Sequence, residues 1–580
     1  MKRGKIRKVL KVWLVINLLA NIGYADIKVD KGVQQNTRVD RAQNGANIIN
    51  INTPNSKGIS VNDYSEFKTK DPTVFNNFGS GVGRSYLAGM MASNPNLSKE
   101  QYARLILNRV NGAERAEIEN WLEVMSDHKT DLIFSSNQGF YLNNTGFINF
   151  DKVIFTTSKV FLDSNGDIQP FNIRGGSINV GREGINAEGL QYLALLSKQI
   201  SIDGIISAKD GDLDLIAGDF DYNPNTREYI NRASYNGDML ISASAYGSIY
   251  GQQIKVVANG GDLGVKSDMI GYKVLAINAD GTVKTNQVQG NSEVNIKAKE
   301  YIQEGSTYTE GNLNITADKT ILAGTGTQAE NINITGKLDN QTNIYAKGNI
   351  IVGNDTVNTG KLISEKGLTV SGNLNTSNVV YGKDLINISG GLFNSSDIQS
   401  EGNITIGLST TNKGRILTDN ILQINSTTVN EGTLYGKNKV IVQDLTNSGS
   451  VQSTGEITAK NVVNTGKIVG EGNITVLDLD NQNELLTNKI LTTNNLVNTG
   501  ILNTGEGISS NGNVVNHGEL KTNGSFLILG NLNNYNLLNV GGSLNTRDLI
   551  NHGSLKAVDK LLARGLTFYN QGEILTINLD

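Results

Sequence analysis

The 580-residue chain has no cysteine, five prolines, three histidines and 6% aromatic residues. Without cysteine there is no disulfide scaffold and no thiolate-bound metal. The histidines, His128, His517 and His552, are too few and too scattered for a histidine-rich metal centre. All the prolines (Pro54, Pro72, Pro95, Pro170, Pro224) fall in the first 224 residues. The remainder lacks the one residue that cannot donate a backbone N–H to a sheet ladder. No apolar run after residue 25 is long enough to span a bilayer. The chain is still not a disordered one, because 38% of its residues are hydrophobic, enough to bury a core. What abounds is Asn, at roughly 13% against a much lower ordinary share. With 65 glycines, this composition points to many short strands and many turns.

Residues 1–25, MKRGKIRKVLKVWLVINLLANIGYA, have a basic start, an apolar stretch from Val9 to Ala20 and a small-x-small end at Gly23-Tyr24-Ala25. This pattern predicts a secretory signal peptide. Its removal takes six basic and no acidic residues from totals of 51 and 55, leaving 45 against 55, a formal −10. An acidic mature chain argues against nucleic acid as a partner. Lacking cysteine, it cannot be locked into a folded state before a second membrane crossing.

Self-similarity dominates the second half. An Asn before a turn, often as Asn-x-Gly, recurs at Asn340, Asn358, Asn375, Asn394, Asn412, Asn430, Asn447, Asn464, Asn481, Asn498, Asn516, Asn534, Asn551 and Asn570, at spacings of 17–19. Apolar residues keep step. Four places on stand Leu434, Val451, Ile468, Leu485, Leu502, Leu520, Leu538 and Leu555; ten places on stand Val440, Ile457, Ile474, Leu491, Ile508, Phe526, Leu544 and Leu561. Positions 12 and 15 are usually apolar too, as at Val442 and Leu445. So small a unit cannot bury its apolar face alone, but stacked units can. The expected result is a parallel β-helix of about three short strands per coil, its coils roughly 4.8 Å apart. The Asn and Gly are expected to serve left-handed turn geometry, and the Asn amides to bond from coil to coil.

The first half carries a family resemblance. Its segments include ANIININTPNSKGISVNDYSEF from about Asn47, GMMASNPNL at 89–97, then ARLILNRVNG, AEIENWLEVM, TDLIFSSNQGF, and DKVIFTTSKVFLDSNGDIQPFNIRGGSINVGREGINA. In this order, over roughly 27–283, they resemble the amino-terminal secretion domain of the filamentous haemagglutinin family of two-partner secretion exoproteins. One family motif stands intact at Asn94, Pro95, Asn96 and Leu97; of a second, falling at 136–140, only Gly139 matches. The resemblance implies an all-β protein: a right-handed parallel β-helix with extra-helical hairpins in the N-terminal domain. It implies a signal peptide at 1–25, a secretion domain at 26–300 and a repeat shaft of 17–19-residue coils at 301–580. It also implies a partner, an outer-membrane two-partner secretion transporter whose periplasmic adaptor domains recognise Asn94–Leu97 and Gly139. The chain would fold outside a Gram-negative cell. Ser98–Met125 has helix-like composition, whereas the resemblance makes ILNRV and NWLEV strands; strands are expected over 105–125 and one helical turn over 98–104.

No reactive constellation stands out. Asp210, Asp212, Asp214, Asp219 and Asp221 form the densest acidic cluster. They lack the Asp-x-Asp-x-Asp-Gly loop of a Ca²⁺ site and read as a solvated strand face. His517 and His552 hold the same turn place two repeats apart, roughly 10 Å on the strand spacing. Gly79–Gly83 has no Lys-Ser/Thr to make a phosphate loop. The expectation is a non-enzymatic, cofactor-free adhesin-like exoprotein that meets a receptor on host cells or other bacteria. The front of a contact-dependent growth inhibition toxin carrier is the alternative. A β-helix polysaccharide-active enzyme is the weaker third, because the repeats offer Asn, Thr and Ser rather than paired acids.

Overall fold

A computed structural model describes residues 26–579; the expected signal peptide at 1–25 lies outside them. The chain divides into two compact units. One runs to Asn291 and includes Lys297–Lys299; the other holds Ser292–Ile296 and everything from Glu300. Among the described residues there is no helix, and the strands stack as a parallel β-solenoid.

The first unit opens with antiparallel strands. Asp26–Val29 pairs with Ile59–Thr69, and Arg38–Arg41 with Asn47–Asn50. From there three columns of parallel strands rise. One passes through Ile59–Thr69, Leu105–Val110, Thr130–Ser136, Phe150–Thr156, Tyr192–Ser197 and Asp212–Gly218. A second passes through Asn47–Asn50, Thr73–Asn76, Leu122–Met125 and Thr145–Ile148. The third passes through Ala116–Ile118, Phe140–Leu142, Ser177–Val180 and Gln199–Ile202. Its interior is aromatic. Phe134 meets Phe67 at 4.8 Å and Phe140 at 5.9 Å between ring centres, and Phe140 meets Phe155 at 5.3 Å. Most of these contacts are edge-on, the favoured arrangement. Two pieces leave the coils: the hairpin Val82–Ser85/Gly89–Ala92 and the antiparallel trio Phe171–Ile173, Phe220–Asn223 and Glu228–Asn231.

Strands therefore occupy Leu105–Val110 and Leu122–Met125. The helical turn expected over 98–104 is absent. Gln101 N–H donates to the Ser98 carbonyl at 3.0 Å, Ser98 N–H donates to Gln101 Oε1 at 2.9 Å, and Glu100 has φ of 63°. A closed turn with a left-handed residue cannot propagate a helix. The next strand gains a full ladder on both sides instead.

In the second unit a coil consists of three strands, as in Thr433–Gly436, Lys439–Ile441 and Asp444–Asn447. Leu434 lies in register with Val451, Val440 with Ile457 and Leu445 with Val462. The side chains at these three places point inward and are buried in coil after coil. Along one corner runs a ladder of asparagines, fully buried up to Asn551. Asn412 Nδ2 donates to Asn430 Oδ1 at 2.8 Å, Asn430 to Asn447 at 2.7 Å, and Asn447 to Asn464 at 2.8 Å, continuing to Asn570. Each such bond contributes about 1 kcal/mol net, and a missing rung leaves a buried partner unsatisfied at a cost of about 1–3 kcal/mol.

Two expectations about this ladder need correction. The rung between Asn358 and Asn394 is Thr376, not Asn375: Asn358 Nδ2 donates to Thr376 Oγ1 at 2.9 Å, while Asn375 lies between outward Val357 and Phe393. The hydroxyl passes its own proton to the Asn378 carbonyl at 2.7 Å, so the amide chain breaks there and restarts at Asn394. The asparagines and the glycines after them are also not in left-handed turns; no ladder Asn has positive φ. Gly414 and Gly432 are required by close stacking instead. A Cβ on Gly414 would overlap the Ser396 carbonyl oxygen, and one on Gly432 the Gly414 carbonyl oxygen.

Candidate transporter-recognition surface

The intact motif closes the neck of the extra-helical hairpin. Asn94 N–H donates to the Phe78 carbonyl and Ser93 N–H to the Gly81 carbonyl, both at 2.8 Å. Asn94 is 1% exposed. Its Nδ2 donates to the carbonyls of Ile51 at 2.9 Å and Asn76 at 2.8 Å, and its Oδ1 accepts Asn96 N–H at 2.9 Å. Leu97 N–H returns to the Asn94 carbonyl at 3.1 Å. Pro95 thus sits second in a tight turn, where its fixed φ fits, and it alone of the four is exposed. Asn96 Nδ2 reaches the carbonyls of Asn36 at 2.8 Å and Ile51 at 3.0 Å.

Asn94 and Asn96 therefore fasten the hairpin to the strands beneath, and Leu97 closes the turn between them. Asn94→Ala is expected to remove the side-chain donor to the Asn76 carbonyl, one of the two side-chain donors to the Ile51 carbonyl and the acceptor of Asn96 N–H, a loss of about 1–3 kcal/mol. It should appear as a lower midpoint for the first unit in thermal unfolding of the purified chain, and an unchanged midpoint would contradict this fastening role.

Gly139 belongs to a separate turn. Its N–H donates to the Ser136 carbonyl at 3.0 Å, its φ is 100°, and a Cβ there would overlap the Ser177 carbonyl oxygen. Asn137 and Gln138 are exposed at the tip. The two turns share no hydrogen-bond partner among the described residues.

The residue that sequence reasoning missed is Glu123, 2% exposed. Its carboxylate accepts Ser85 Oγ–H at 2.7 Å, Tyr86 N–H at 2.8 Å and Leu87 N–H at 2.7 Å, clamping the hairpin tip. The hairpin then presents Val82, Tyr86 and Met90, 65%, 82% and 70% exposed. Between it and the first strands lies a broad cleft of about 730 Å³, lined by Asp40, Ile48, Asn50, Met90, Met91 and Pro95.

The acidic cluster is not a solvated face. Asp214 is buried and accepts Tyr192 Oη–H at 2.8 Å, and Tyr192 shares a hydrogen bond with Tyr222 at 2.7 Å. Burial raises the Asp214 carboxyl above its usual range and pushes the Tyr222 phenol up to about 12. Asp212 pairs with Arg227 at 3.0 Å and Asp219 with Lys198 at 2.9 Å. Asp221 holds Arg174 at 2.5 Å and Arg232 at 2.7 Å. Partial burial would raise Asp221, but its two arginine bonds outweigh that and leave it below the carboxylate range. These acids are committed to structure. In the second unit, too, charges pair with opposite charges one coil away, as Lys439 with Glu456 and Lys467 with Glu484, both at 2.9 Å. His517 and His552 sandwich Tyr535, with ring centres 4.4 and 5.3 Å apart.

Antiparallel strands over stacked coils, a clamped hairpin and an outlying three-stranded sheet define a β-solenoid with a decorated N-terminal unit. Residues 25–285 match the TPS secretion domain family. The Bordetella pertussis filamentous hemagglutinin is 29% identical over 242 residues, covering 40% of this chain and 7% of that protein. A 16S rRNA endonuclease CdiA from Enterobacter cloacae is 26% identical over 295 residues, covering 48% and 8%. The protein adenylyltransferase and cysteine protease IbpA of Histophilus somni is 26% identical over 394 residues, covering 62% and 9%. A crystal structure of a filamentous hemagglutinin secretion domain aligns at a TM-score of 0.42 and 23% identity, covering 55% of this chain and 99% of that one. Residues 25–285 are a TPS secretion domain, and the chain is similar to two-partner secretion exoproteins of the filamentous haemagglutinin family. It spans about a tenth of the length of the curated relatives it matches.

Proposed function

We propose that the chain crosses the outer membrane of a Gram-negative bacterium through a dedicated two-partner secretion transporter. Residues 26–300 would engage the transporter's periplasmic adaptor domains, and residues 301–580 would form the shaft of an adhesin-like exoprotein, shed or held at the surface to meet a receptor on host cells or other bacteria. The TPS match over 25–285 carries this reading. Asn94, Asn96, Leu97 and Gly139 would shape the recognised surface; Pro95 and the hairpin's Val82, Tyr86 and Met90 would be its exposed points. We place no catalysis in these residues, in keeping with the ion-paired carboxylates of Asp212, Asp219 and Asp221.

A second reading makes the chain the front of a contact-dependent growth inhibition toxin carrier. Relatives titled Toxin CdiA, 24% and 26% identical over 267 and 291 residues, favour it, and any enzymatic activity would then lie beyond the residues discussed. The test of export is co-expression with and without the partner transporter in a Gram-negative host. The chain should reach the medium or surface only when the transporter is present; equal release without it would contradict the proposal.

A further inference from the structure

One corner of the first unit's outer sheet face is left open. Neighbouring strands begin there, and their register sets side chains in a row. Asp131 lies opposite Leu105, the bulge brings Lys152 beside Asp131, Lys152 lies opposite Tyr192, and Tyr192 opposite Asp212. Further along the strands the face is covered, because Phe171, Phe220 and Tyr222 pack on Ile154, Ala194 and Leu196. The tips carrying Asp167 and Pro224–Arg227 wall the opening. What remains is a cleft of about 220 Å³ whose floor includes Leu105, Ile133 and Ile154.

The charges in this cleft are of two kinds. Arg227 is committed, lying 3.8 Å over the Tyr192 ring and bonded to Asp212 at 3.0 Å, and Asp167 is paired with Lys57 at 2.9 Å. Arg104, Asp131 and Lys152 are different. None of them forms an ion pair with any described residue, and the Asp131 carboxylate takes only the Lys152 backbone N–H. Burial raises that carboxyl above its usual range, against the pull of Lys152 and Arg104. Arg104 Nε donates to the Lys57 carbonyl at 2.6 Å, and otherwise these two bases and one acid face one another around a hydrocarbon floor without a direct ion pair. An apolar ligand would desolvate all three without return. Inorganic phosphate would leave the floor unused and face Asp131. An extended peptide would find no free sheet edge here, because each strand is already paired on both sides.

We propose that this cleft binds a single hexuronate ring of a glycan. The sugar carboxylate lies against Arg104 and Lys152, ring hydroxyls donate to Asp131, and the C–H face rests on Leu105, Ile133 and Ile154. The volume is that of one pyranose ring, and few convergent polar groups over an apolar surface are the ordinary make-up of a small-ligand site. The assignment goes beyond export, and its test uses purified chain, so its failure and a failure of the export reading are separable.

The experiment is saturation-transfer NMR on the full chain with methyl β-D-glucuronide, and with methyl β-D-glucoside as the neutral control. The glucuronide should bind in the millimolar range, with the glucoside at least about tenfold weaker. Lys152→Ala, Arg104→Ala and Asp131→Asn should each weaken the glucuronide about tenfold. Lys152 and Arg104 are exposed, so their variants keep the fold and decide the matter if Asp131→Asn does not. No transfer from the glucuronide, equal binding of the glucoside, or parental affinity in both exposed-residue variants overturns the proposal.

Discussion

Ile474→Asp is expected to unfold the coils around it. Ile474 is fully buried and stands in register between Ile457 and Leu491. Its pocket is hydrocarbon above and below. Losing the side chain alone costs about 2–5 kcal/mol, and an unpaired carboxylate there adds several kcal/mol more. Each coil touches only its neighbours, so the damage should be local rather than global. Hydrogen exchange should lose protection over the coils spanning about 456–510, while the first unit keeps its own. Unchanged protection in these coils would mean that Ile474 is not a core residue and that the stacked-coil account is wrong.

What was legible in the sequence, and what was not, follows from how far each side chain reaches for its partners. The columns of Leu434 and Val440 were legible because an inward residue must be apolar in every coil, and a stack repeats the demand at a fixed interval. The Asn recurrence was visible for the same reason. Its phase slipped at Asn375 because Asn and Thr can both serve as a rung; only Leu374, which faces inward two places before Thr376, marks the true position. The glycines were misread because a tight approach between coils and a left-handed turn leave the same mark on a sequence. Glu123 was invisible: its partners are 36–38 residues away on a hairpin tip, and nothing local signals a buried carboxylate. Asp214 was misread likewise, since strand alternation places it outward and only the outlying sheet, through Tyr222, covers it. The order of family-like segments in the first half did carry the family, because many weak matches in one order are specific where a single short motif is not.

The second large effect concerns the first unit as a whole. Its features separate it from the second unit: an aromatic interior, antiparallel opening strands, a clamped hairpin and two glycine- or proline-shaped turns, at Gly139 and Pro95. The second unit's coils repeat one plain pattern from Asn394 to Asn570, with Phe526 a buried aromatic in register with aliphatic Ile508 and Leu544. If transporter engagement resides in the first unit, the shaft has no independent means of leaving the periplasm. Deleting residues 26–290 while keeping 1–25 therefore tests the account most directly, with the chain measured in periplasm and medium in a host that carries the transporter. The account predicts that the shortened chain accumulates in the periplasm and that its release falls to background. Release at the level of the full chain would contradict it.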